Sequence, residues 1–245
     1  MKNILIVTAA LMIAFGANAQ QGSFSEKDSN CCSEQKNSLE TERLSSPHHF
    51  TMNMGYGFSL SGNHDALFVN YNFDNSHKNK MRHGINFEFD YDYNFHSNMA
   101  FGGFFSMYNS YDSYYANNIS TSSCSDNRWI FYVAPSFLVH TDRIAEHWNF
   151  FARATVGLMN FRNSQRALNS TLTDVNSNTF KRYTIGYSLQ MGASYYINKY
   201  FSIDGSIGYL GGRVSKVKDN TQKYELSTNE TLSRINVNVG VKIKL

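Results

Sequence analysis

The feature that most constrains this chain is an alternation of period two that keeps one face free of charge. Residues 234 to 245, RINVNVGVKIKL, carry an aliphatic side chain at every odd position from Ile235 to Leu245, with Asn, Gly or Lys between them. Successive side chains of a β-strand point to opposite faces, so this stretch is a ribbon with one hydrocarbon side and one wet side. The same pattern recurs upstream. In residues 85 to 95, INFEFDYDYNF, Ile85, Phe87, Phe89, Tyr91, Tyr93 and Phe95 share one face, and Asn86, Glu88, Asp90, Asp92 and Asn94 share the other. The alternation predicts strands over 50–60, 85–95, 99–109, 129–139, 148–158, 183–197, 201–211 and 234–245.

Charge distinguishes a lipid-facing strand from a soluble one. A Lys or Arg facing lipid at the bilayer midplane costs about 2–4 kcal/mol, whereas on a soluble sheet it is ordinary. The apolar faces of these strands hold no Asp, Glu, Lys or Arg, and their one polar side chain is Asn109, at a strand end. Strands of about eleven residues match the roughly 9–11 needed by a tilted transmembrane strand. Aromatic side chains fall at strand ends, with Trp129, Phe131 and Tyr183 expected at one interface and Phe95, Trp148, Phe150, Tyr195 and Phe201 at the other. A charged fraction of 17% and only 2 Pro, against 16 Tyr and 19 Phe, suit one strand-rich domain. A net charge of +3 gives no strongly basic surface, so no nucleic-acid partner is expected.

The N-terminus supplies the compartment. Met1-Lys2-Asn3 is a short positive start, Ile4 to Phe15 is apolar, and Ala17-Asn18-Ala19 is a small-x-small cleavage site. Residues 1–19 therefore read as a signal peptide cleaved before Gln20. Residues 20–49 are too polar to bury much surface and read as a flexible periplasmic leader, with the barrel domain at 50–245. Connections alternate in length: 96–98 and 198–200 are short, while 110–128, 159–182 and 212–234 read as long polar surface loops. That asymmetry is expected of an outer-membrane barrel, with short periplasmic turns. Residues 66–73, ALFVNYNF, also alternate; as a membrane strand they would make the count odd, so they are placed in the first surface loop. Pro135, inside a strand, predicts a local bulge.

The order GYGFSL, DYNF, MAFGGFF, APSFL, WNFFARATVGL, YYINKYFSIDGSIGYL and SRINVNVGVKIKL resembles the small outer-membrane β-barrel domain family of Gram-negative bacteria, often labelled porin-family. The resemblance covers about residues 50 to 245 and implies an all-β, antiparallel up-and-down barrel like the eight-stranded OmpA and OmpX type. It implies location in the bacterial outer membrane. Many such barrels end in Phe, whereas this chain ends in Leu245.

An eight-stranded barrel has an interior just wide enough for side chains to fill. Glu88, Asp90, Asp92, Arg153, Asp204, Lys242 and Lys244 all point inward by parity and are expected to form a lumen ion network, because buried charges must be paired. A proton or ion pathway through them is the rival reading. No catalytic, cofactor-binding or metal residues are assigned. A lipid-modifying enzyme would need a Ser, a His and an acid, but Ser136 and His140 are four residues apart on one strand, about 13 Å at 3.3 Å per residue. His147 lies across a turn, and His64, His77 and His83 lack the spacing of a metal site. Cys31, Cys32 and Cys124 are an odd number in an oxidising compartment, on opposite sides of the membrane in this topology. Basic residues crowd the expected surface loops: Lys78, Lys80, Arg82, Arg162, Arg166, Lys181, Arg182, Arg213, Lys216 and Lys218. The expectation is a non-enzymatic, monomeric barrel with a structural or surface-interaction role. Its partners would be outer-membrane lipid, lipopolysaccharide and the barrel-insertion machinery; a lipid-modifying enzyme and a narrow channel stand behind it.

Overall fold

The structure, a computed structural model, describes residues 47–60, 79–114, 123–141, 147–168, 174–218 and 223–245. The expected signal peptide, the expected leader up to residue 46, Cys31, Cys32 and the 66–73 segment lie outside the described residues. Nine strands follow in chain order: β1 (His48–Ser59), β2 (His83–His96), β3 (Met99–Tyr114), β4 (Ser123–His140), β5 (Trp148–Leu168), β6 (Asp174–Tyr196), β7 (Phe201–Lys218), β8 (Lys223–Thr231) and β9 (Arg234–Lys244). Every pairing is antiparallel, and β1 begins two residues ahead of the sequence expectation.

The strands pair in the order β6-β5-β4-β3-β2-β1-β9-β7, and β6 pairs back onto β7, which closes the sheet into an eight-stranded barrel. The remaining strand, β8, pairs with the upper part of β7. Only Leu232 and Ser233 separate β8 from β9, and the Leu232 N–H donates to the Gly212 carbonyl at 2.9 Å, so the two are one interrupted wall strand. Closure pairs each of the eight barrel strands on both sides, the condition a β-structure must meet in hydrocarbon.

The alternation read from the sequence sets inside from outside. Met52, Met54, Ile85, Phe101, Val133, Leu158, Ile185, Met191, Val237 and Val239 are exposed on the outer wall, while Asn86, Asp90, Ser106, Arg153, Gln190 and Asn238 are buried within. A soluble barrel has the reverse arrangement, because water would leave such an outer wall solvated at great cost. Aromatic side chains fringe this belt. Tyr183 and Tyr195 on β6 are exposed and lie 195 − 183 = 12 residues apart, roughly 28 Å of depth at about 3.3 Å per residue and a tilt of about 45°. That matches an apolar band about 25 Å tall.

Two expectations are corrected. The segments 110–128, 159–182 and 212–234 are largely strand: the β3–β4 ladder runs to Tyr114 and Cys124, β5–β6 to Leu168 and Asp174, and β7–β8 to Lys218 and Lys223. Above the membrane the outward face of a strand meets water, so the outward apolar parity that revealed the strands below disappears. Pro135 makes no bulge. The β4–β5 register is the same at Val133 with Leu158 and at Ser136 with Thr155; the ladder omits the two residues between and resumes in phase. Proline lacks the N–H for that rung, and the outer face accepts the loss without a shift.

Candidate functional site in the barrel interior

The centre of the lumen is Arg153, carried by β5. Its Nη1 lies 2.7 Å from Asp90 Oδ2 and its Nη2 lies 2.6 Å from Asp92 Oδ2, both acids belonging to β2 on another part of the wall. Nη1 also donates to Gln190 Oε1 on β6 at 3.0 Å, and the guanidinium stands 5.7 Å from the centre of the Phe104 ring on β3. Asp90 and Asp92 share a face because they are two residues apart on one strand. A planar guanidinium can serve two carboxylates and an amide at once, a task for which an ammonium is poorly shaped.

The cluster extends through amides. Gln190 Nε2 donates to Glu88 Oε2 at 2.8 Å and to Ser206 Oγ at 3.0 Å. Glu88 Oε1 accepts from Asn86 Nδ2 at 2.8 Å and from Asn236 Nδ2 at 3.3 Å. Thus Glu88 is held by hydrogen bonds, and Asp90 and Asp92 take the direct ion pairs. Nearer the short turns, Lys242 Nζ lies 2.8 Å from Asp204 Oδ2, donates to Ser194 Oγ at 2.9 Å and stands 4.9 Å from the Phe151 ring centre. Ser202 Oγ donates to the other Asp204 oxygen at 3.0 Å. Lys244, two residues on, is half-buried at the strand end.

Sequence reading missed two parts of this interior. Arg234, the first residue of β9, is 1% exposed; its Nη2 donates to Ser106 Oγ at 2.9 Å, its Nε to Asn236 Oδ1 at 3.2 Å, and it stacks 4.8 Å from the Tyr108 ring centre. Its inward parity was present in RINVNVGVKIKL, where it precedes the first aliphatic residue. The second part is the extent of an apolar cluster on the long-hairpin side of Arg153, in which the alternation already turns Phe104 and Tyr132 inward: Phe104, Tyr108, Ile130, Tyr132, Ala134, Met159, Phe161, Phe180, Leu210, Val214 and Leu232. Met159, Phe161, Phe180, Val214 and Leu232 fall in segments read as loops. Two cross-strand glycine pairs give the bulkiest of these side chains room. A Cβ at Gly57 or Gly84 would lie 2.7 or 2.6 Å from Tyr108, and one at Gly186 or Gly212 would lie 2.7 or 2.9 Å from Met159.

The catalytic rivals do not assemble. Ser136 Oγ donates to Asp92 Oδ1 at 3.4 Å, while His140 Nδ1 lies 3.5 Å from Asn149 Nδ2 and 3.3 Å from the Thr141 carbonyl. His147 packs its ring on Tyr195, 5.6 Å between centres, and His83 bonds the Tyr56 hydroxyl. His64 and His77 lie outside the described residues, and among those described no three His, Cys, Asp or Glu gather as a metal site. Cys124 sits in the β3–β4 hairpin, opposite Tyr114.

No protein-family model matches the chain, and no curated protein does. Solved structures similar to it are outer-membrane proteins. Neisserial surface protein A is 14% identical over 82% of this chain and 98% of its own, with a TM-score of 0.48. A major outer membrane protein of Thermus thermophilus is 10% identical over 81% and 99%, with a TM-score of 0.47. The attachment invasion locus protein of Yersinia pestis is 14% identical over 80% and 98%, with a TM-score of 0.39. The membrane assignment rests on the chain's own apolar belt and buried polar interior.

Proposed function

We propose that this chain, an eight-stranded barrel of the outer-membrane type, serves as a non-catalytic structural or surface-interaction protein whose lumen is closed by its own side chains. The observation that carries the reading is the succession of obstructions along the axis: the Lys242–Asp204 pair, the Arg153 cluster and the apolar cluster above it. A barrel of this strand number has an interior about one layer of side chains wide, so each of these suffices to interrupt a water column. The long β-hairpins raise the wall beyond the membrane and give the protein its surface for contacts. At about 3.3 Å per residue the 21-residue β5 measures roughly 70 Å, about twice a membrane strand.

Non-catalysis is supported by the partners these groups take: Ser136 donates to Asp92, which is ion-paired with Arg153, and His140 faces Asn149 and Thr141. The partners that suit the reading are outer-membrane lipid, lipopolysaccharide and the insertion machinery, with the protein acting as a monomer. Planar-bilayer recording on the purified protein tests it. The expected result is no sustained conductance of general-porin size; such a conductance would overturn the closed lumen.

A further inference from the structure

Outside the barrel, at the upper rim of the lipid belt, the wall carries charges that the interior does not use. Arg162 on β5 pairs directly across from Lys181 on β6, and both side chains are exposed. Like charges placed opposite each other on a sheet repel and destabilise it. On its other side Arg162 pairs with Trp129 of β4, whose ring stacks on Phe131 at 5.8 Å between centres with 6° between planes. Arg166 stands four residues farther from the membrane on the same outward face. Together Trp129, Phe131, Tyr111, Asn127, Arg162 and Arg166 line a groove of about 670 Å³.

This groove holds no acid among the described residues. The carboxylates at this level, Asp112 of β3 and Asp126 of β4, are buried on the inner face, and Arg162, Arg166 and Lys181 make no ion pair among the described residues. The groove thus has two cations along its β5 side and an aromatic and apolar floor from β3 and β4, with Lys181 and Tyr183 on the next strand, Tyr183 being 69% exposed at the edge of the belt.

We propose that this groove binds the phosphorylated headgroup of a surface-leaflet lipid, with the acyl part lying on the apolar wall below. Guanidinium groups hold phosphate through paired N–H donors, and a bound dianion converts the Arg162–Lys181 repulsion into attraction. The position selects a lipid over a free ion: Phe131 lies in one cross-strand row with Met107 and Tyr183, and two residues below it Val133 is exposed on the apolar wall, so a ligand with hydrocarbon attached gains contacts that phosphate alone does not. The inference rests on the reading of the chain as a membrane barrel and is independent of whether the lumen conducts.

The chain has 2 Trp, so Trp148→Phe leaves Trp129 as the lone reporter in the groove. The variant is folded into phosphatidylcholine vesicles containing a rising fraction of lipid A, and Trp129 emission is followed, with heat-modifiable gel mobility recording that the barrel is folded. A saturable change in emission is expected. Adding Arg162→Gln with Lys181→Gln should raise the half-saturation fraction about thirtyfold, and Arg166→Gln alone about fivefold, at roughly 1 kcal/mol per basic residue near an anionic surface. Lys199→Gln, in the turn at the opposite rim, should leave it unchanged. A folded barrel that gives no saturable response, or the same half-saturation in the Arg162 and Lys181 double variant, overturns the site. An equal response to inorganic phosphate in plain phosphatidylcholine vesicles overturns the lipid assignment. Failure to fold into any vesicle would instead count against the membrane barrel itself.

Discussion

The two halves of the lumen exclude water by opposite means. From the short turns to mid-depth the interior is ionic, with Lys242 on Asp204 and Arg153 on Asp90 and Asp92. From mid-depth toward the long hairpins it is mainly a packed apolar cluster, with Tyr132, Met159 and Phe161 fully buried and the Arg128 and Arg234 guanidiniums laid on the Phe161 and Tyr108 rings. Phe104 belongs to both, lying under the Arg153 guanidinium and edge-on to Tyr132 at 5.9 Å between ring centres. The contrast shows how an inside-out barrel fills itself. Its outer wall consumes the apolar parity, so polar residues fill most of the inner wall and must satisfy one another. An apolar plug is affordable only where inward positions escape that demand. The two halves therefore fail differently when damaged: the ionic half through an abandoned charge, the apolar half through a void.

The largest expected effect breaks the ionic half. Arg153→Ala leaves Asp90 and Asp92 buried without their cation and should cost about 3–5 kcal/mol in urea unfolding from lipid vesicles. Combining Arg153→Met with Asp90→Asn and Asp92→Asn removes the charges together and should recover most of that loss. No recovery would mean the cluster acts through shape and not charge. In the apolar half Met159→Ala should cost about 3 kcal/mol, with no recovery from any change of charge, since the damage is a cavity between Gly186, Gly212 and Tyr132.

The outer wall sharpens the comparison from the other side. Val239 is 63% exposed near the middle of β9, and Val239→Arg should lower folded yield in vesicles by about 2–4 kcal/mol, because hydrocarbon offers an arginine no partner. An unchanged yield would sink the lipid-facing assignment. The smallest effect belongs to the rim. Lys80 meets Asp112 at 3.5 Å with its side chain 61% exposed, so Lys80→Ala should cost less than about 1 kcal/mol by the same unfolding measurement. A cost near that of Arg153→Ala would show that burial is not what separates the two pairs.

Much of the wall was legible before any coordinates. Period-two alternation is local and survives without knowledge of neighbours, so the membrane parts of β1 to β7 and β9 were found within a few residues. The upper parts of β3 to β8 were not, because outside lipid the outward positions carry Ser, Asn, Arg and Lys as freely as a loop does. The same blindness hid half of the lumen filling. Phe161, Phe180 and Val214 were visible as apolar residues in polar segments, but without the strand there was no parity to turn them inward. Arg162 and Lys181 were read as loop charges for that reason, and their cross-strand juxtaposition exists only in the ladder.

The sequence by itself determined the faces: which residues meet lipid, which meet the lumen, and that the lumen must hold charges of both signs. These follow from geometry repeated every two residues and from the cost of a charge in hydrocarbon, neither of which depends on long-range structure. Tertiary structure alone decided who meets whom. Arg153 and Asp92 are 61 residues apart in the chain, and their contact depends on closure of β6 onto β7 and on the stagger of each strand against the next. Parity says that a side chain points inward; only the closed barrel sets the depth and direction at which two inward side chains meet, as Arg153 and Asp92 do at 2.6 Å.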